Sequence, residues 1–478
     1  MELFLINHDY KYAAEQIMLL LFPNERPVYP EAPTGDLWAS IKLTRGKKYA
    51  VASCRLRSGS KTVLGRAAVS EAAFSDPLSE ARCLQRIVKK SFYRAGLALA
   101  SEKPPWGSVT GVRPGKLMSV YLSAKMSDAG AKTAFMKEYD VSPERAQLCL
   151  ETAKCAAKTT KTLATRDVCL YVGIPFCPTR CEYCSFAATT LTKKTDVDGY
   201  LSALEAELMH YAAETKGRRL ETVYIGGGTP TALDEERLER LLCFVRGAFS
   251  FDDVKEFTVE AGRPDTITAG KLRLLKDSGV TRISVNPQTL HDETLAAIGR
   301  QHSSKQFFEA YEMAVNAGFD NINIDLIAGL PGETADHMAR TLAGIEPLAP
   351  NAVTVHTLAV KRASRLRETL DEQTLADAAA VEDMLGITRA WCAQQGLLPY
   401  YMYRQKNMLG NFENVGYAKP GFEGIYNIQM MEENQTVFAA GAGAVSKIYT
   451  PHDNRIERVP NCKQYQDYVR NHIARTQG

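Results

Sequence analysis

Three cysteines within eight residues are the most chemically suggestive feature of this sequence. Cys177, Cys181 and Cys184 stand in YVGIPFCPTRCEYCSF with the spacing C-x3-C-x2-C. Thiolates bind iron–sulfur clusters, and a loop this short can wrap one corner of a cluster. A structural zinc site would normally need a fourth Cys or His. The spacing therefore favours a four-iron cluster with one iron open to an outside ligand over zinc, and zinc over a chance grouping of buried cysteines.

Glycines and polar side chains recur where apolar runs end. They are Gly226 to Thr229 after the second run, Glu260 at the end of the third, Gln288 after the fourth, Arg300 twelve residues later, and Asp325 within the fifth. A backbone without side chains can approach a ligand closely, although a glycine run also suits an ordinary tight turn. For each polar residue alone, a structural hydrogen bond or a surface charge is the commoner role. Asp325 stands inside an apolar run, where a carboxylate is costly unless it is paired or binds a ligand.

These residues are spaced along a repeated theme, in which a β-rich apolar run is followed by a helical pattern. Near-continuous apolar runs are typical of parallel strands covered by helices on both faces. Six such units predict an α/β fold, a partial (β/α)6 barrel with its chemistry at the carboxyl ends of the strands. The six runs are VCLYVGIPF (168–176), TVYIGGGTP (222–230), EFTVEAGRP (256–264), TRISVNPQT (281–289), NINIDLIAGLP (321–331) and AVTVHTLAV (352–360).

The regions on either side of these units have different patterns. Residues 1–160 are predicted to form a small α+β domain with a helical connector, in which TRGKK turns between the paired runs DLWASIKL and YAVASCRL. Residues 161–390 are the predicted barrel core. Residues 391–478 are rich in aromatic residues and glycine, and we expect them to cover the mouth of the barrel and contact the substrate.

Composition and charge are those of an ordinary globular protein. Apolar residues make up 45% and charged residues 24% of the chain, and the formal charge of +3 gives no sign of a nucleic-acid or anionic-lipid partner. No apolar run approaches the roughly 20 residues that span a bilayer, and the N-terminus does not have the pattern of a signal peptide. The sequence therefore predicts a cytoplasmic protein, in which the eight other cysteines are reduced and mostly buried.

The cysteine spacing, with Tyr183 directly before the third cysteine, resembles the radical S-adenosylmethionine (SAM) superfamily. Within it, YVGIPFCPTRCEYCSF, VYIGGGTPT and NIDLIAGLPGET resemble the motifs of the oxygen-independent coproporphyrinogen III oxidase group over about half of the chain. WGSVTGVRPGKL and PYYMYRQKN look like the coproporphyrinogen dehydrogenase HemZ branch of that group. This extends the resemblance to most of the chain's length.

The resemblance implies a [4Fe–4S] cluster on the three cysteines, whose open iron chelates the amino and carboxylate groups of SAM. Reductive cleavage of SAM then gives a 5′-deoxyadenosyl radical that abstracts hydrogen from the substrate. By the same resemblance, Tyr171 packs beside the cluster. The remaining matched positions would hold SAM, and they are Gly227, Gly228, Thr229, Glu260, Gln288, Arg300 and Asp325.

The implied reaction is the oxidative decarboxylation of coproporphyrinogen III, a tetrapyrrole, to protoporphyrinogen IX in heme biosynthesis. It needs an electron donor that the sequence does not identify. Because the substrate carries four propionates, basic side chains could face the barrel mouth. Arg113, Arg263, Arg362 and Arg404 are suggestions, each of which is more simply explained as a solvated surface charge.

Two departures from the group's pattern leave other functions open. Phe186 stands where some oxidases of the group carry a fourth cysteine, as in the heme-chaperone branch HemW, and VNPQT replaces the commoner GxQ form. A heme-binding chaperone is therefore an alternative, although YNIQMM does not match the HN-aromatic signature of that branch. Another radical reaction on a tetrapyrrole, such as methyl transfer with ring opening, is a third possibility.

Overall fold

Two sheets organise the chain, one of four strands and one of eleven. The computed structural model describes residues 1–100, 103–186, 188–359, 377–405, 411–452 and 455–477. The described strands are β1 Glu2–Ile6, β2 Leu37–Arg45, β3 Tyr49–Ser58, β4 Lys61–Ser70, β5 Asp167–Ile174, β6 Phe176–Cys177, β7 Thr189–Thr190, β8 Arg219–Gly227, β9 Glu256–Glu260, β10 Arg282–Ser284, β11 Ile322–Ala328, β12 Ala352–Thr357, β13 Leu398–Tyr403, β14 Asn414–Ala418, β15 Thr436–Ala440, β16 Val445–Thr450 and β17 Arg455–Pro460.

The α-helices alternate with the strands through the middle of the chain. They are α1 Lys11–Leu21, α2 Pro77–Leu97, α3 Pro114–Ser123, α4 Asp128–Tyr139, α5 Pro143–Thr160, α6 Val197–Glu214, α7 Glu235–Ala248, α8 Ala269–Asp277, α9 Asp292–Ala297, α10 Ser304–Asn316, α11 Ala335–Ile345, α12 Ala378–Gln394, α13 Ile425–Glu432 and α14 Tyr465–Gln477. None of the described helices is long and apolar enough to cross a membrane. The chain divides into two compact units, residues 1–150 and 151–478.

The first unit contains the four-stranded sheet, in the order β1-β2-β3-β4, with β1 parallel to β2 and the other pairs antiparallel. Alternate residues of β2 and β3 are buried, as in a sheet with one covered face. The covered face packs against α1 and α2, whose buried residues include Ile17, Val88 and Phe92. Asp76 begins α2 by accepting hydrogen bonds from the amides of Leu78 and Ser79. The predicted α+β character of this region and its hairpin are both present.

The second unit contains the six predicted strands side by side, in the order β12-β11-β10-β9-β8-β5. All five neighbouring pairs are parallel, which confirms the predicted α/β fold. The helix after each strand covers the sheet through an apolar stripe. In α7, for example, Asp234 caps the first turn, and Leu238, Leu241, Leu242 and Val245 are the buried face.

The C-terminal region extends the sheet at both edges instead of lying only across the mouth. Strands β14 and β13 follow β12 on one side, and β15, β16 and β17 follow β5 on the other. Helix α13 lies against the amino-terminal halves of the strands, because the amides of Ile425 and Tyr426 donate to Glu256, the first residue of β9. At the other end of the strands, Tyr465 of α14 packs edge-on against Phe176. The predicted boundaries at 160/161 and 390/391 stay a prediction.

Candidate active site

The three-cysteine loop begins where the first parallel strand ends. After β5 and Pro175, the two-residue strand β6 pairs with β7, and the amide of Leu191 donates to the carbonyl of Cys177 at 2.9 Å. Further along, the amide of Glu182 donates to the carbonyl of Ile298 at 3.0 Å. Cys184 closes a turn onto the carbonyl of Cys181 at 3.1 Å. These backbone bonds fix the path of the loop, and the bond to Ile298 ties it to the segment that follows α9.

The three thiols are sheltered and lie near one another. Burial raises the pKa of Cys177 to about 11, against the effect of Thr229, whose hydroxyl lies 3.5 Å from the Cys177 sulfur. Burial also raises the pKa of Cys184, and the nearby Cys181 adds to that shift. Such thiols lose their protons readily only to a metal, which stabilises the thiolate.

The geometry of the loop suits a cluster better than a single ion. Within the described ranges, no three His, Cys, Asp or Glu side chains converge on one point as ligands of a single metal ion. A cubane does not need such convergence, because each cysteine binds a different iron. Three thiols on one short loop, with no fourth ligand beside them among the residues that the structure describes, are a donor set that fits a [4Fe–4S] cluster with one open iron.

The glycine run lies directly against the cysteine loop. The amide of Gly228 donates to the carbonyl of Ile174 at 2.8 Å, and the amide of Thr229 donates to the carbonyl of Phe176 at 2.7 Å. A Cβ atom on Gly228 would lie 2.6 Å from the Phe176 carbonyl oxygen, so no larger residue fits there without a shift of the backbone. The glycines are therefore required by this close approach, whichever ligand they also meet.

Glu260 connects the glycine run to a group of tyrosines inside the barrel. Its carboxylate accepts from the Tyr224 hydroxyl at 2.6 Å and from the amide of Gly227 at 3.1 Å. Burial raises the pKa of Glu260, although both of these hydrogen bonds oppose the shift. Tyr224 stacks on Tyr426 with ring centroids 4.5 Å apart, and Tyr171 lies beside both rings at 6.1 and 6.3 Å. Tyr171 thus faces the barrel interior.

Gln288 has the strongest sign of a missing partner. It is 6% exposed, and its side-chain oxygen is buried without a hydrogen-bond partner in the described part of the chain. Its φ angle is 70°, in the left-handed region that a glutamine rarely adopts. Its backbone nonetheless bonds both ways to β11, donating to the carbonyl of Asp325 and accepting from the amide of Ile327, each at 3.0 Å. Strain and an unsatisfied acceptor at one residue are typical of a ligand contact.

Asp325 is held by its neighbours in the sheet. The side-chain amide of Asn323 donates to one carboxylate oxygen at 2.6 Å. The Nε2 atom of His356 in β12 lies 3.8 Å from the other oxygen. Burial would raise the pKa of Asp325, but His356 and Asn323 more than offset it, and the pKa is lowered. The carboxylate is therefore ionised at neutral pH. The expectation that this residue must be paired or bound is met, in part, by residues of the chain itself.

Arg300 reaches the loop from the region after α9. Its guanidinium donates to the Tyr183 hydroxyl at 3.1 and 3.3 Å and to the carbonyl of Asn286 at 3.3 Å. Burial opposes its charge, but nearby Tyr183 and Cys181 outweigh burial and raise the pKa of Arg300. A buried cation thus stands beside the thiols, where it would stabilise a negatively charged cluster or a ligand carboxylate.

The basic residues suggested as substrate contacts fall in different surroundings. Arg263 is 3% exposed; it pairs with Asp265 and donates to the carbonyl and hydroxyl of Thr179 in the cysteine loop. Arg404 is 6% exposed and donates to the carbonyl of Asn411. The interpretation of these two as solvated surface charges is wrong, because both guanidinium groups are buried and bonded to protein oxygens. Arg113 is half-buried at the start of α3, and Arg362 lies outside the described residues.

Three residues of the site were not predicted from the sequence. Tyr224 shares its strand face with Gly226, and this alternation along β8 was an available signal. His356 is a polar residue inside the sixth apolar run, the same kind of exception that marked Asp325. Asn286 accepts from the amide of Asp325 at 3.3 Å through its side chain, and no periodicity in the sequence indicates this contact.

The arrangement can hold a metal cluster and a small polar ligand side by side. All eleven predicted site residues belong to the six parallel strands and the segments that follow them. The contacts link Cys177 with Thr229, Gly227 with Glu260, Gln288 with Asp325, and Arg300 with the loop through Tyr183. A donor set of thiols, a glycine cradle and an unsatisfied amide oxygen fit a cluster whose open iron binds an amino acid.

Comparisons with known proteins agree with this geometry. Residues 171–343 match the Radical SAM superfamily. Over 371 residues the chain is 41% identical to the oxygen-independent coproporphyrinogen-III oxidase-like protein HemZ of Bacillus subtilis, a match that covers 76% of this chain and 74% of that one. It is also 34% identical over 284 residues to the heme chaperone HemW of Bacillus subtilis, covering 57% and 69%.

A solved structure shares the fold. Coproporphyrinogen III oxidase (HemN) from Escherichia coli, a radical SAM enzyme, aligns with a TM-score of 0.54 and 25% identity, covering 67% of this chain and 72% of that one. The chain therefore belongs to the radical SAM superfamily, within the group of oxygen-independent coproporphyrinogen-III oxidase-like proteins, and its cofactors are a [4Fe–4S] cluster and SAM.

Proposed function

We propose that this chain catalyses the oxygen-independent oxidative decarboxylation of coproporphyrinogen III to protoporphyrinogen IX. The observation that carries the proposal is the extent of the match to HemZ, which covers 76% of this chain at 41% identity. The structural likeness to HemN supports the same reaction class. In this reaction a hydrogen atom leaves the β-carbon of a propionate, and loss of carbon dioxide and of one electron, which passes to an electron acceptor, leaves a vinyl group. Two propionates are converted.

Different residues of the chain would bind the cluster and SAM. Cys177, Cys181 and Cys184 would hold the cluster, and the seven predicted positions from Gly227 to Asp325 would hold SAM. When bound, these cofactors supply the radical that abstracts hydrogen. The chain's own part is to orient them and exclude water. An electron donor for the cluster is a required partner that stays unidentified.

Specific contacts suit individual residues to these roles. The unsatisfied oxygen of Gln288 would accept from a donor on SAM, and the ionised carboxylate of Asp325 would accept from another. Arg300 would offset the negative charge of the ligated cluster. The stacked rings of Tyr171, Tyr224 and Tyr426 close the barrel interior below the site, and this packing would keep water from the reacting atoms.

The test is an anaerobic incubation of the reconstituted chain with coproporphyrinogen III, SAM and a reductant. With an electron acceptor present, we expect SAM cleavage together with products that are lighter by carbon dioxide and two hydrogens for each of one or two propionates, detected by mass. The Cys177→Ala variant is the negative control, and Cys243→Ala is its match because Cys243 is exposed and lies outside the loop. Cleavage of SAM by the wild-type chain without vinyl products would refute the proposal, and a mass gain of one methyl group would indicate the other radical reaction.

A heme chaperone is the second candidate, favoured by the match to HemW and by Phe186. Phe186 is 68% exposed and stands two residues after Cys184, where some oxidases of the group carry a fourth cysteine. Against it, Tyr426, Ile428 and Gln429 of YNIQMM are buried in α13, so these side chains are not accessible to heme. Heme titration followed by absorbance separates the two functions, because stoichiometric heme binding without porphyrinogen turnover would favour the chaperone.

A further inference from the structure

The whole-chain charge of +3 conceals a division between the two units. Residues 1–150 contain 22 Lys and Arg against 14 Asp and Glu, a formal charge of +8. Residues 151–478 contain 36 against 41, a formal charge of −5. Charge that is separated in this way indicates a binding role for the basic part with a negatively charged partner. The basic unit contains none of the eleven predicted site residues, which lie between Tyr171 and Asp325.

The four-stranded sheet of this unit has one open face. Helices α1 and α2 pack on the other face, where Ala39, Ile41, Cys54 and Leu56 are buried. Strand register places Phe4, Ser40, Arg55 and Leu64 in one row across the open face. The next row contains Ile6, Lys42, Ser53 and Arg66. Large apolar side chains are exposed there, with Leu64 73% and Ile6 40% accessible.

A cavity of about 890 Å³ lies over this face. Its lining belongs entirely to residues 3–64 and includes Phe4, Trp38, Lys42, Arg55 and Leu64. Cavities that bind small molecules span roughly 300–1,000 Å³, so this one is large enough for a bulky rigid ligand. The Phe4 and Trp38 rings meet edge to face at 6.3 Å and form an apolar floor.

The polar groups of the cavity lack protein partners at defined points. The Trp38 indole nitrogen is buried and makes no hydrogen bond among the described residues. The side chains of Lys42 and Arg55 are exposed in the lining and form no ion pair or hydrogen bond with the described residues. By contrast, Arg45 and Arg57 at the edges are engaged by Glu71 and Asp36. The cationic groups of Lys42 and Arg55 and the indole N–H of Trp38 therefore lie beside an apolar surface and have no acceptor among the described residues.

The acidic groups of the cavity do not neutralise this pair. Glu2 is not among the lining residues, and its carboxylate already accepts from the amide and the hydroxyl of Thr34. Asp9 and Glu31 line the cavity from exposed loop positions. Lys11, also in the lining, lies over the Tyr29 ring at 4.9 Å. The central sheet strands therefore present positive charge, and the acids stand on the flanking loops.

We propose that this cavity is a second tetrapyrrole site, which binds the carboxylate-bearing macrocycle itself. The inference rests on the proposed function for the class of ligand. The flat apolar ring would cover Phe4, Trp38 and Leu64, and its carboxylates would accept from Lys42, Arg55 and the Trp38 indole. The site suits a metal-free ring, because both ring nitrogens of His8 are already engaged, by the Ile41 carbonyl and the Tyr10 amide. It would retain substrate or product near the enzyme.

A single-stranded nucleic acid is the other ligand that stacks on aromatic side chains of a sheet. Its phosphates need a continuous run of cations along the strand's path. Here the lining has only three cations, Lys11, Lys42 and Arg55, and Asp9 and Glu31 lie at its flanks, so the lining has no continuous run of positive charge. Phe4 and Trp38 meet edge to face, so they do not offer two parallel platforms for successive bases. A compact ligand with a few carboxylates fits this pattern better.

The test uses the full chain and coproporphyrin III, the stable oxidised ring, in equilibrium dialysis without SAM or reductant. The double variant Lys42→Gln with Arg55→Gln should bind one molecule fewer per chain, because losing two charge-assisted contacts weakens this site about 100-fold. The matched control, Lys47→Gln with Lys48→Gln, removes the same charge from the exposed β2–β3 turn outside the lining. It should bind as the wild type does. A coproporphyrin whose carboxylates are esterified should not bind at this site of the wild-type chain.

Turnover measured in parallel separates this inference from the proposed function. Vinyl products from the wild type, with coproporphyrin binding equal in both double variants, would overturn the second site and leave the reaction intact. Binding that depends on Lys42 and Arg55 in a chain without turnover would support the site and refute the reaction. A short single-stranded RNA that the Lys42/Arg55 variant fails to bind, with porphyrin binding unchanged, would also overturn the inference.

Discussion

In residues 151–478, buried polar groups at the amino ends and at the carboxyl ends of the parallel strands differ in the hydrogen-bond partners that the chain supplies to them. At the amino ends, Glu256 accepts from the amides of Ile425 and Tyr426, and Glu221 accepts from Lys255, Gln429 and Gln435. At the carboxyl ends, the thiols of the cysteine loop have one hydroxyl contact from Thr229, and the side-chain oxygen of Gln288 has none within the described ranges. The chain thus saturates the carboxylates of Glu221 and Glu256, whereas it leaves the Gln288 oxygen available to a ligand, although Glu260 and Asp325 at the same end also accept from the chain.

This difference separates polar residues that maintain the fold from those available for ligands. A buried carboxylate with two or three donors stabilises the contact between distant segments, here between β9 and α13. A buried acceptor without a donor destabilises the isolated protein, because the group has lost its hydrogen bonds to water. A ligand that donates to this acceptor removes the penalty. Burial alone therefore does not mark the site, because both ends are buried. A missing partner alone does not mark the site either, because Gln429 and Gln435 near the amino ends also carry buried side-chain oxygens without a partner among the described residues. At Gln288 the missing partner coincides with a strained backbone, and this combination points to a ligand.

The largest effect should come from the cysteine loop. Replacing Cys177, Cys181 and Cys184 together with alanine should remove essentially all cluster iron after anaerobic reconstitution and abolish SAM cleavage, because no other described thiols are gathered on one loop. Iron and sulfide analysis with absorbance spectroscopy measures this. The Cys243→Ala chain should keep full iron content. A cluster retained in the triple variant would mean that other residues ligate it.

At the opposite end, Glu256→Ala should destabilise the fold without touching the cofactors directly. The substitution leaves two buried amides without an acceptor and Arg282 without its nearby carboxylate, a cost of about 3 kcal/mol. Hydrogen exchange of the amides in α13 should become about 100-fold faster. Glu239→Ala, on the exposed side of α7, is the control and should stay within about 0.5 kcal/mol of the wild type. Unchanged exchange in α13 would contradict the structural role given to Glu256.

The ion pair between Asp167 and Arg219, also at the amino ends of the strands, should make the stability of the fold depend on pH. Asp167, the first residue of β5, accepts from Arg219 at 2.5 and 2.6 Å and from the amide of Ala164 at 2.8 Å. Burial raises the pKa of Asp167, but these donors outweigh it and the pKa is lowered. Because the folded pKa lies below the unfolded value of about 3.9, the carboxylate stabilises the fold above that pH. This contribution is lost as the pH falls through the folded pKa.

Urea unfolding of Asp167→Asn tests this prediction. The variant should have a lower urea midpoint than the wild type at pH 7, by less than Glu256→Ala, and the gap between variant and wild type should narrow as the pH is lowered below about 4. Asp277→Asn at the exposed end of α8 should match the wild type throughout. A gap that stays constant from pH 7 to acid would mean that the Asp167 charge does not carry the effect.

The sequence predicts the sheet well because its physical cause is local. Strands buried on both faces must be apolar along their whole length, so all six parallel strands were visible as runs. The cysteine loop was visible for the same kind of reason, since its three donors stand within eight residues. The fold class and the cofactors are confirmed, whereas the assignment of individual SAM contacts stays a prediction.

The contacts between distant segments were not predictable in this way. Glu256 meets Ile425 across 169 residues, and no periodicity in either segment indicates the pairing. The C-terminal region was expected to lie across the mouth, yet its strands extend both edges of the sheet, because β5 and β12 each expose an edge that another strand can complete. Arg263 was misjudged for a similar reason. Its partner Thr179 is 84 residues earlier in the chain.

The smallest expected effect is the most discriminating, because it should move ligand binding and stability in different directions. Glycine adopts a φ of 70° without the steric cost that Gln288 bears, so Gln288→Gly should leave stability within about 1 kcal/mol of the wild type or raise it slightly. Loss of the side-chain oxygen should weaken SAM binding to the reconstituted chain about tenfold. Equilibrium dialysis with SAM and thermal unfolding measure the two quantities. Lys125→Gly, with a φ of 57° at an exposed position, is the matched control and should change stability alone. If both variants bind SAM equally well, the unsatisfied oxygen of Gln288 is a feature of the fold, and the contrast between the two ends of the barrel fails at that residue.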